Sequence, residues 1–183
     1  NSTNGAKGAF IVASNASWGI DDGKATDAPL WCAIYDSLGA AGILNVTAAD
    51  NRTTINVDST GDLPSVCPSD YLLAVTSITS DGKRAAAQGA KNIDLAAPGD
   101  FVFTTKANNR YGTEAGTSFA APIVTGAIGL LYSNQCTLLD EMALTNPAAA
   151  ALMVKNAILK SVDTTSTLKS AVASGGYLNI LKA

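Results

Sequence analysis

A serine stands where a short Gly-Thr-Ser stretch runs into a long apolar segment, Gly116–Pro122 with the sequence GTSFAAP. This position places Ser118 at the start of a helix, where the first-turn N–H groups are unpaired and the helix dipole favours negative charge. Both features would stabilise the charge that develops when a serine hydroxyl attacks an acyl group. The same position is typical of a helix N-cap. The segment alone leaves both roles open.

A base to activate that serine is missing, because the 183 residues contain no histidine. Histidine is the usual proton carrier at neutral pH, so a site built only from this chain lacks it. The sequence also opens at Asn1 rather than at methionine, from which we expect a processed chain, a nicked product or a shortened form.

Strands alternate with helices around this serine, which predicts an α/β layered fold with a mostly parallel sheet. The predicted strands are short apolar runs bounded by turn residues: Gly8–Ser14, Ile43–Ala49, Tyr71–Ile78 and Asn92–Ala97, with Phe101–Thr104 as an edge strand. The predicted helices carry apolar residues at helical spacing, Ala28–Gly42 and Pro147–Val162. The length is that of one domain, and the 47% hydrophobic content suffices for a shared core.

The helix that follows Ser118 has an unusual composition. It is apolar on every side and dense in small residues, which predicts a helix buried at the centre of the protein. Gly126 and Gly129 would allow close backbone approach there.

Composition excludes several classes of partner. Only 15% of the residues are charged, the net charge is −3, and no basic run exceeds Lys83-Arg84, so neither nucleic acid nor an anionic membrane is expected to bind. The apolar stretches are too short to span a bilayer. Cys32, Cys67 and Cys136 cannot all pair with one another, so at least one is free or bonded outside the chain. Their spacing predicts no zinc site.

The segment GTSFAAP resembles the serine-site signature of the subtilisin-like serine peptidases, the subtilases, in which the serine precedes a small-x-Pro pattern on a central helix. The run Ile43–Asn51 (ILNVTAADN) resembles the family's strand that ends in Ala-Ala-Gly-Asn, whose asparagine donates to the oxyanion. The resemblance implies that Ser118 is the nucleophile and that Asn51 acts with the Ser118 N–H. Taken alone, Asp-Asn is ordinary turn chemistry.

Further segments follow in the family's order. Ser17-Trp18-Gly19 resembles the stretch that pairs with substrate backbone and forms one wall of the primary specificity pocket, and Ala48 and Ala49 would form the opposite wall. Trp18 could equally be an ordinary half-buried aromatic residue. Two more segments resemble structural parts of the family, Asp94–Gly99 (DLAAPG) and Gly175–Asn179 (GGYLN).

The resemblance runs from about Ala9 to Ala183 and implies a three-layer subtilisin-like fold that is incomplete in this chain. Residues 1–183 would form the C-terminal part of one peptidase domain, without the N-terminal segment that carries the catalytic Asp and His. Asp50 replaces the glycine that usually precedes the asparagine. Its charge would weaken catalysis or point to solvent, and we favour solvent.

The resemblance implies a serine endopeptidase that acts on peptides or proteins once the missing part is supplied, for example by a companion chain. The alternative is a catalytically inactive subtilisin-like domain that binds peptides or a partner, supported by the absent histidine and by Asp50. No cofactor is certain. Family members often hold calcium, and Asp94 lies on a segment that can contribute to a cation site. The family is mostly secreted, which implies a secreted or periplasmic location.

Overall fold

The structure, a computed structural model, describes residues 7–183 and is built around one mixed sheet. The main sheet contains β1 Ala13–Ala16, β3 Leu44–Ala48, β5 Leu72–Ile78, β6 Leu95–Pro98, β9 Asp163–Thr164 and β10 Gly176–Tyr177. Short β2 Ile20–Asp21 pairs with β4 Asp62–Leu63, and β7 Val102–Lys106 pairs with β8 Arg110–Glu114. The helices are α1 Pro29–Ala40, α2 Val57–Thr60, α3 Thr117–Ser133, α4 Thr137–Thr145 and α5 Pro147–Lys160.

The main sheet has the strand order β1-β3-β5-β6-β10-β9 and is parallel except for β9. Val46 of β3 lies between Asn15 of β1 and Leu73 of β5, so the carboxyl ends of these strands meet at one edge. Ligand sites of open α/β sheets form at that edge. Ser17 follows β1 and Asn51 follows β3. The two segments therefore begin at the same edge of the sheet.

Helices cover both faces of the sheet. Leu73 packs under α3, whereas the adjacent Leu72 packs with Cys32 and Tyr35 of α1. Neighbouring strand residues point to opposite faces, so α1 and α3 lie on opposite sides. The core under α3 combines the branched residues of three strands with small residues of the helix: Leu44, Val46, Leu73, Val75, Leu95, Ala120, Ala121, Val124 and Ile128. The predicted α/β fold with a mostly parallel sheet and flanking helices is confirmed.

Three details differ from the sequence prediction. The first strand begins at Ala13 rather than at Gly8, and α4 was not predicted. The segment predicted as an edge strand at Phe101–Thr104 lies instead in the separate β7–β8 hairpin, because its partner is the strand that follows it. None of the helices in residues 7–183 is long and apolar enough to cross a membrane.

The expectation that α3 is buried on every side is wrong. One face, with Ala120 and Val124, is fully buried against the sheet, whereas Ile123 is 36% and Leu130 58% exposed. Apart from its chain neighbours and the backbone of its own helix, Gly126 has no described atom within 4 Å of the position its Cβ would take, so it serves no close approach to another element among residues 7–183. The helix is thus apolar all round but covered on one side.

A disulfide joins Cys32 of α1 to Cys67, and Cys136 is free and exposed. The bond spans a sequence separation of 35 residues, which includes β3, Asn51 and β4. Closing a loop of that size lowers the conformational entropy of the unfolded chain. This stabilises the folded state by about 4 kcal/mol. The disulfide therefore restrains the segment that carries Asn51 by linking its end to α1.

We expect the double variant Cys32→Ala/Cys67→Ala to lose about 4 kcal/mol of unfolding free energy, within the usual range of about 2–5 kcal/mol. Urea denaturation followed by circular dichroism measures this. The matched control is Cys136→Ala, which removes an exposed thiol and should leave the midpoint unchanged. Equal midpoints for all three proteins would show that the bond does not contribute to stability.

Candidate active site

Ser118 lies in the first turn of α3, directly after a loop held by backbone contacts. Gly116 precedes the helix with φ of 141°, a conformation that side chains other than glycine rarely adopt, and its N–H donates to the carbonyl oxygen of Gly99 at 2.7 Å. Ser118 Oγ donates to the Ser17 carbonyl at 3.3 Å, and Ser17 Oγ donates to the Ser118 carbonyl at 2.9 Å. The serine and the Ser17 segment therefore fix each other. The Asp94–Gly99 segment, predicted as structural, supports this loop.

The side chain of Asn51 is oriented by Thr117. The Thr117 N–H donates to Asn51 Oδ1 at 2.9 Å, and Thr117 Oγ1 lies 3.1 Å from the same oxygen. A backbone N–H can only donate, so the atom that faces Thr117 is the amide oxygen. Asn51 Nδ2 is therefore the end of the amide that does not contact Thr117. Sequence reasoning missed this role of Thr117, which follows from its place before the serine.

Two hydrogen-bond donors next to the Ser118 side chain have no acceptor among the described residues. The Ser118 N–H belongs to the first turn of α3 and has no acceptor among residues 7–183, as expected at a helix start. Asn51 Nδ2 likewise has no acceptor in the described part of the chain, and Asn51 and Ser118 line one cavity. A backbone N–H and an amide NH₂ beside a serine form the donor pair that an oxyanion requires.

The cavity beside Ser118 has a volume of about 160 Å³ and contains all seven residues selected from the sequence. Its lining comprises Ser17, Trp18, Gly19, Asp21, Ala48, Ala49, Asp50, Asn51, Arg52, Asp62, Thr117 and Ser118. Trp18 is 63% exposed and stacks on Trp31 of α1 with ring centroids 5.1 Å apart. The structure thus brings the predicted nucleophile, oxyanion donor and pocket walls together. It also adds charged residues that the sequence did not reveal as neighbours.

The expectation that Asp50 points to solvent is wrong. Its side chain is 1% exposed and forms an ion pair with Arg52, whose backbone N–H also donates to Asp50 Oδ1 at 2.7 Å. Burial by itself raises the pKa of Asp50, but the hydrogen bonds from Arg52 outweigh it and lower the pKa below the usual value. Arg52 also contacts Asp22 at 2.8 Å. The negative charge beside Asn51 is therefore already paired.

Asp62 is a buried carboxylate that the sequence analysis did not select. It is 3% exposed, and its Oδ2 accepts hydrogen bonds from the Asp50 N–H at 2.9 Å and from Ser65 Oγ at 2.5 Å. Burial raises the pKa of Asp62 to about 6, with further upward contributions from the charges of Asp50 and Asp21. No local pattern marks this residue, because one of its two hydrogen-bond donors, the Asp50 N–H, lies twelve positions earlier in the chain.

The candidate cation residue Asp94 is engaged in other contacts. Its Oδ2 accepts the Ala74 N–H at 2.8 Å, and its Oδ1 lies 3.8 Å from Lys155 Nζ. Within residues 7–183, no group of three or more Asp, Glu, Cys or His side chains could hold a metal ion. Asp94 is thus engaged by Ala74 and Lys155, and the calcium binding that the resemblance allowed stays a prediction.

Comparison with known proteins identifies the family. The profile of the Subtilase family, Peptidase_S8, matches residues 6–177. The chain is 33% identical over 105 residues to subtilisin amylosacchariticus of Bacillus subtilis subsp. amylosacchariticus, which is 57% of this chain and 27% of that protein. It is 37% identical over 93 residues to the major intracellular serine protease of Bacillus subtilis, covering 50% of this chain and 29% of the relative. The chain belongs to the subtilase family.

Solved structures agree on the fold. The A-subunit of the AB5 toxin from E. coli superposes with a TM-score of 0.72 at 21% identity, covering 93% of this chain and 58% of that one. The prenylagaramide maturation protease superposes with a TM-score of 0.65 at 25% identity, covering 99% and 62%. The chain thus spans less than a third of the two sequence relatives above and about three fifths of these structures.

Proposed function

We propose that this chain carries the nucleophile and the oxyanion donors of a serine endopeptidase whose histidine and aspartate come from polypeptide outside these 183 residues. The observation that carries the proposal is the orientation of Asn51. Its oxygen is held by Thr117, so its NH₂ group is left as a donor in the cavity that Ser118 also lines. Membership of the subtilase family supports the reaction class.

In this proposal, Ser118 Oγ attacks the carbonyl carbon of the scissile peptide bond, and the supplied histidine takes the serine proton. Asn51 Nδ2 and the Ser118 N–H donate to the oxygen that becomes negative. The histidine then returns the proton to the leaving nitrogen as the C–N bond breaks, and water hydrolyses the acyl-enzyme. At present Ser118 Oγ donates to the Ser17 carbonyl, a contact that the histidine would replace.

The uncovered face of α3 supports the need for additional polypeptide. Ile123, Gly126 and Leu130 form an exposed apolar stripe on the helix that begins with Ser118. The outermost strand β1 lies next to this helix. A segment placed there would bury the stripe, extend the sheet from β1 and bring its own side chains towards Ser118. We refer to this chain together with such an N-terminal segment as the completed enzyme.

The alternative, an inactive domain that binds peptides, has lost one of its two supports. Asp50 does not direct an unpaired charge at the oxyanion position, because Arg52 neutralises it. The alternative now depends on the missing histidine alone. The Cys32–Cys67 disulfide supports a secreted or periplasmic location, since such bonds persist in oxidising compartments.

A peptidyl phosphonate ester, which bonds covalently to an activated serine, tests the proposal. We expect the completed enzyme to be labelled stoichiometrically on Ser118, as located by peptide mass mapping, and the Ser118→Ala variant to remain unlabelled. Ser133→Ala is the matched control, because Ser133 lies exposed at the other end of α3. Absence of label from a folded completed enzyme that binds peptides would instead support the inactive alternative.

A further inference from the structure

The lining of the cavity beside Ser118 combines apolar residues with three aspartates. We infer that it selects a basic side chain, arginine or lysine, on the substrate residue whose carbonyl Ser118 attacks. This inference rests on the proposed function, because that function makes the cavity the site for this side chain. It adds a substrate class to the reaction.

Size and wall chemistry suit a long cationic side chain. A volume of about 160 Å³ is below the range of roughly 300–1,000 Å³ typical of ligand pockets, so the cavity holds one side chain rather than a larger molecule. Trp18, Ala48 and Ala49 supply apolar surface along it. The methylene stem of lysine or arginine packs on such surface while the charged end extends beyond it.

The charged lining is predominantly negative. Asp21, Asp50 and Asp62 line the cavity, and Arg52 is the single cation among the residues that line it. Arg52 is already engaged with Asp50 and, outside the lining, with Asp22. No ion pair to Asp21 or Asp62 occurs among residues 7–183, which leaves two carboxylates without a cation.

Asp62 provides a second observation that points to a ligand. The residue is 97% buried, and both hydrogen bonds from its neighbours go to Oδ2. Its Oδ1 has no partner in the described part of the chain and is not sealed in the core, since Asp62 lines the cavity. A nearly buried carboxylate oxygen that faces a cavity without a donor is costly unless a ligand supplies one.

The partner of Asp62 on the neighbouring strand is also acidic. Asp21 of β2 lies directly opposite Asp62 of β4 in the antiparallel pair, and directly opposed residues project on the same side. Like charges in that position destabilise a ladder, and a cation between them reverses the effect. One buried carboxylate in the specificity pocket is enough to give a serine peptidase its preference for basic residues.

Titration of Asp62 should set the pH dependence of cation binding in the cavity. Burial, together with the charges of Asp50 and Asp21, raises the pKa of Asp62 to about 6, so the carboxylate is ionised above that pH and protonated below it. A cation binds the ionised form, so its affinity should be full at pH 8 and fall as pH decreases through about 6. The ion pair of Asp50 and Arg52 adds no titration in this window, because the pKa of Asp50 is lowered.

Binding of p-aminobenzamidine to the 183-residue chain tests the inference without catalysis. This probe carries a planar cation like that of arginine, and its fluorescence rises when it leaves water. We expect it to bind at least about tenfold more tightly at pH 8 than 4-aminobenzamide, its neutral analogue, because an opposite charge in a partly buried site contributes that much. Equal affinities would overturn the inference.

Substitutions of single aspartates test which side chain binds the cationic probe. Asp62→Asn keeps an oxygen for the Asp50 and Ser65 hydrogen bonds and replaces the cavity-facing oxygen by NH₂, so it should fold, lose about tenfold or more in probe affinity and lose the pH dependence. Asp21→Asn should also weaken binding. Asp70→Asn is the matched control, because Asp70 is exposed and outside the cavity. Unchanged affinity in folded Asp62→Asn would overturn the inference.

Hydrolysis by the completed enzyme separates this inference from the proposed function. Peptides that differ only in the residue before the cleaved bond should be cleaved with kcat/KM about 100-fold higher for arginine or lysine than for leucine or phenylalanine. Cleavage with an apolar preference would overturn the inference and leave the proposed function standing. Probe binding without any cleavage would support the cavity's selectivity and count against the proposed function.

Discussion

The 183-residue chain by itself is expected to hydrolyse no peptide substrate at a measurable rate, whereas the completed enzyme should do so. Without histidine, the chain lacks the residue that usually takes the proton of the serine, and Ser118 Oγ donates to the Ser17 carbonyl instead. In subtilisin itself, a member of the same family, loss of the catalytic histidine costs about 10⁶-fold in kcat. The remaining acceleration from oxyanion donors and binding is about 10³–10⁴-fold over water.

A fluorogenic peptide assay measures this difference, with both proteins at equal concentration and the phosphonate titration as a count of active sites. Ser118→Ala in the completed enzyme is the control, and it should lower kcat to the level of the isolated chain. Circular dichroism must show that the isolated chain is folded, so that inactivity reports the missing base. Turnover by the isolated chain that disappears in Ser118→Ala would show that another group acts as the base.

Replacing Asn51 by alanine is expected to lower kcat of the completed enzyme by about 10²–10³-fold with little change in KM. The range was established on the oxyanion asparagine of subtilisin, a relative of this chain. The physical reason is that Asn51 Nδ2 donates to charge that exists in the transition state and not in the bound substrate. Thr117 holds the other end of the amide, so the donor needs no reorganisation during the reaction.

Asn51→Asp distinguishes a donor from a structural residue. Aspartate keeps an oxygen for the Thr117 N–H and Oγ1 but presents a second oxygen where the NH₂ group lay. If Asn51 acts as the oxyanion donor, this variant should lose at least as much kcat as alanine, because a carboxylate repels the oxyanion. A kcat close to that of the unmodified enzyme would show that the contact to Thr117 is its whole contribution.

Local sequence predicted several elements well, since each depends on nearby residues, but it missed α4. The apolar runs at Ile43–Ala49 and Tyr71–Ile78 became β3 and β5 within about one residue, and Pro29–Ala40 forms the predicted first helix. The prediction at Phe101–Thr104 was wrong about the sheet it joins. A strand's partner is a long-range property that its own composition does not specify.

The environment of the site was less predictable. The sequence selected Ser118 and Asn51, but it assigned Asp50 to solvent and gave no role to Asp62 or Arg52. These residues lie on the β2–β4 pair and in the turn after β3. The Asp50 N–H donates to the Asp62 carboxylate, although the two residues are twelve positions apart in the sequence. Burial and charge pairing decide their properties, and both arise only when separate segments pack.

The sequence by itself determined the family and predicted Ser118 as the nucleophile, because the order of short motifs around Ser118 is a covalent property of the chain. The tertiary structure decided the orientation of Asn51, the pairing of Asp50 with Arg52 and the presence of Asp21 and Asp62 in the lining of the cavity beside Ser118. It also decided that α3 is covered on one face, which the helix's uniform apolar composition could not reveal. Composition states which surfaces favour burial, and only packing shows which of them are buried.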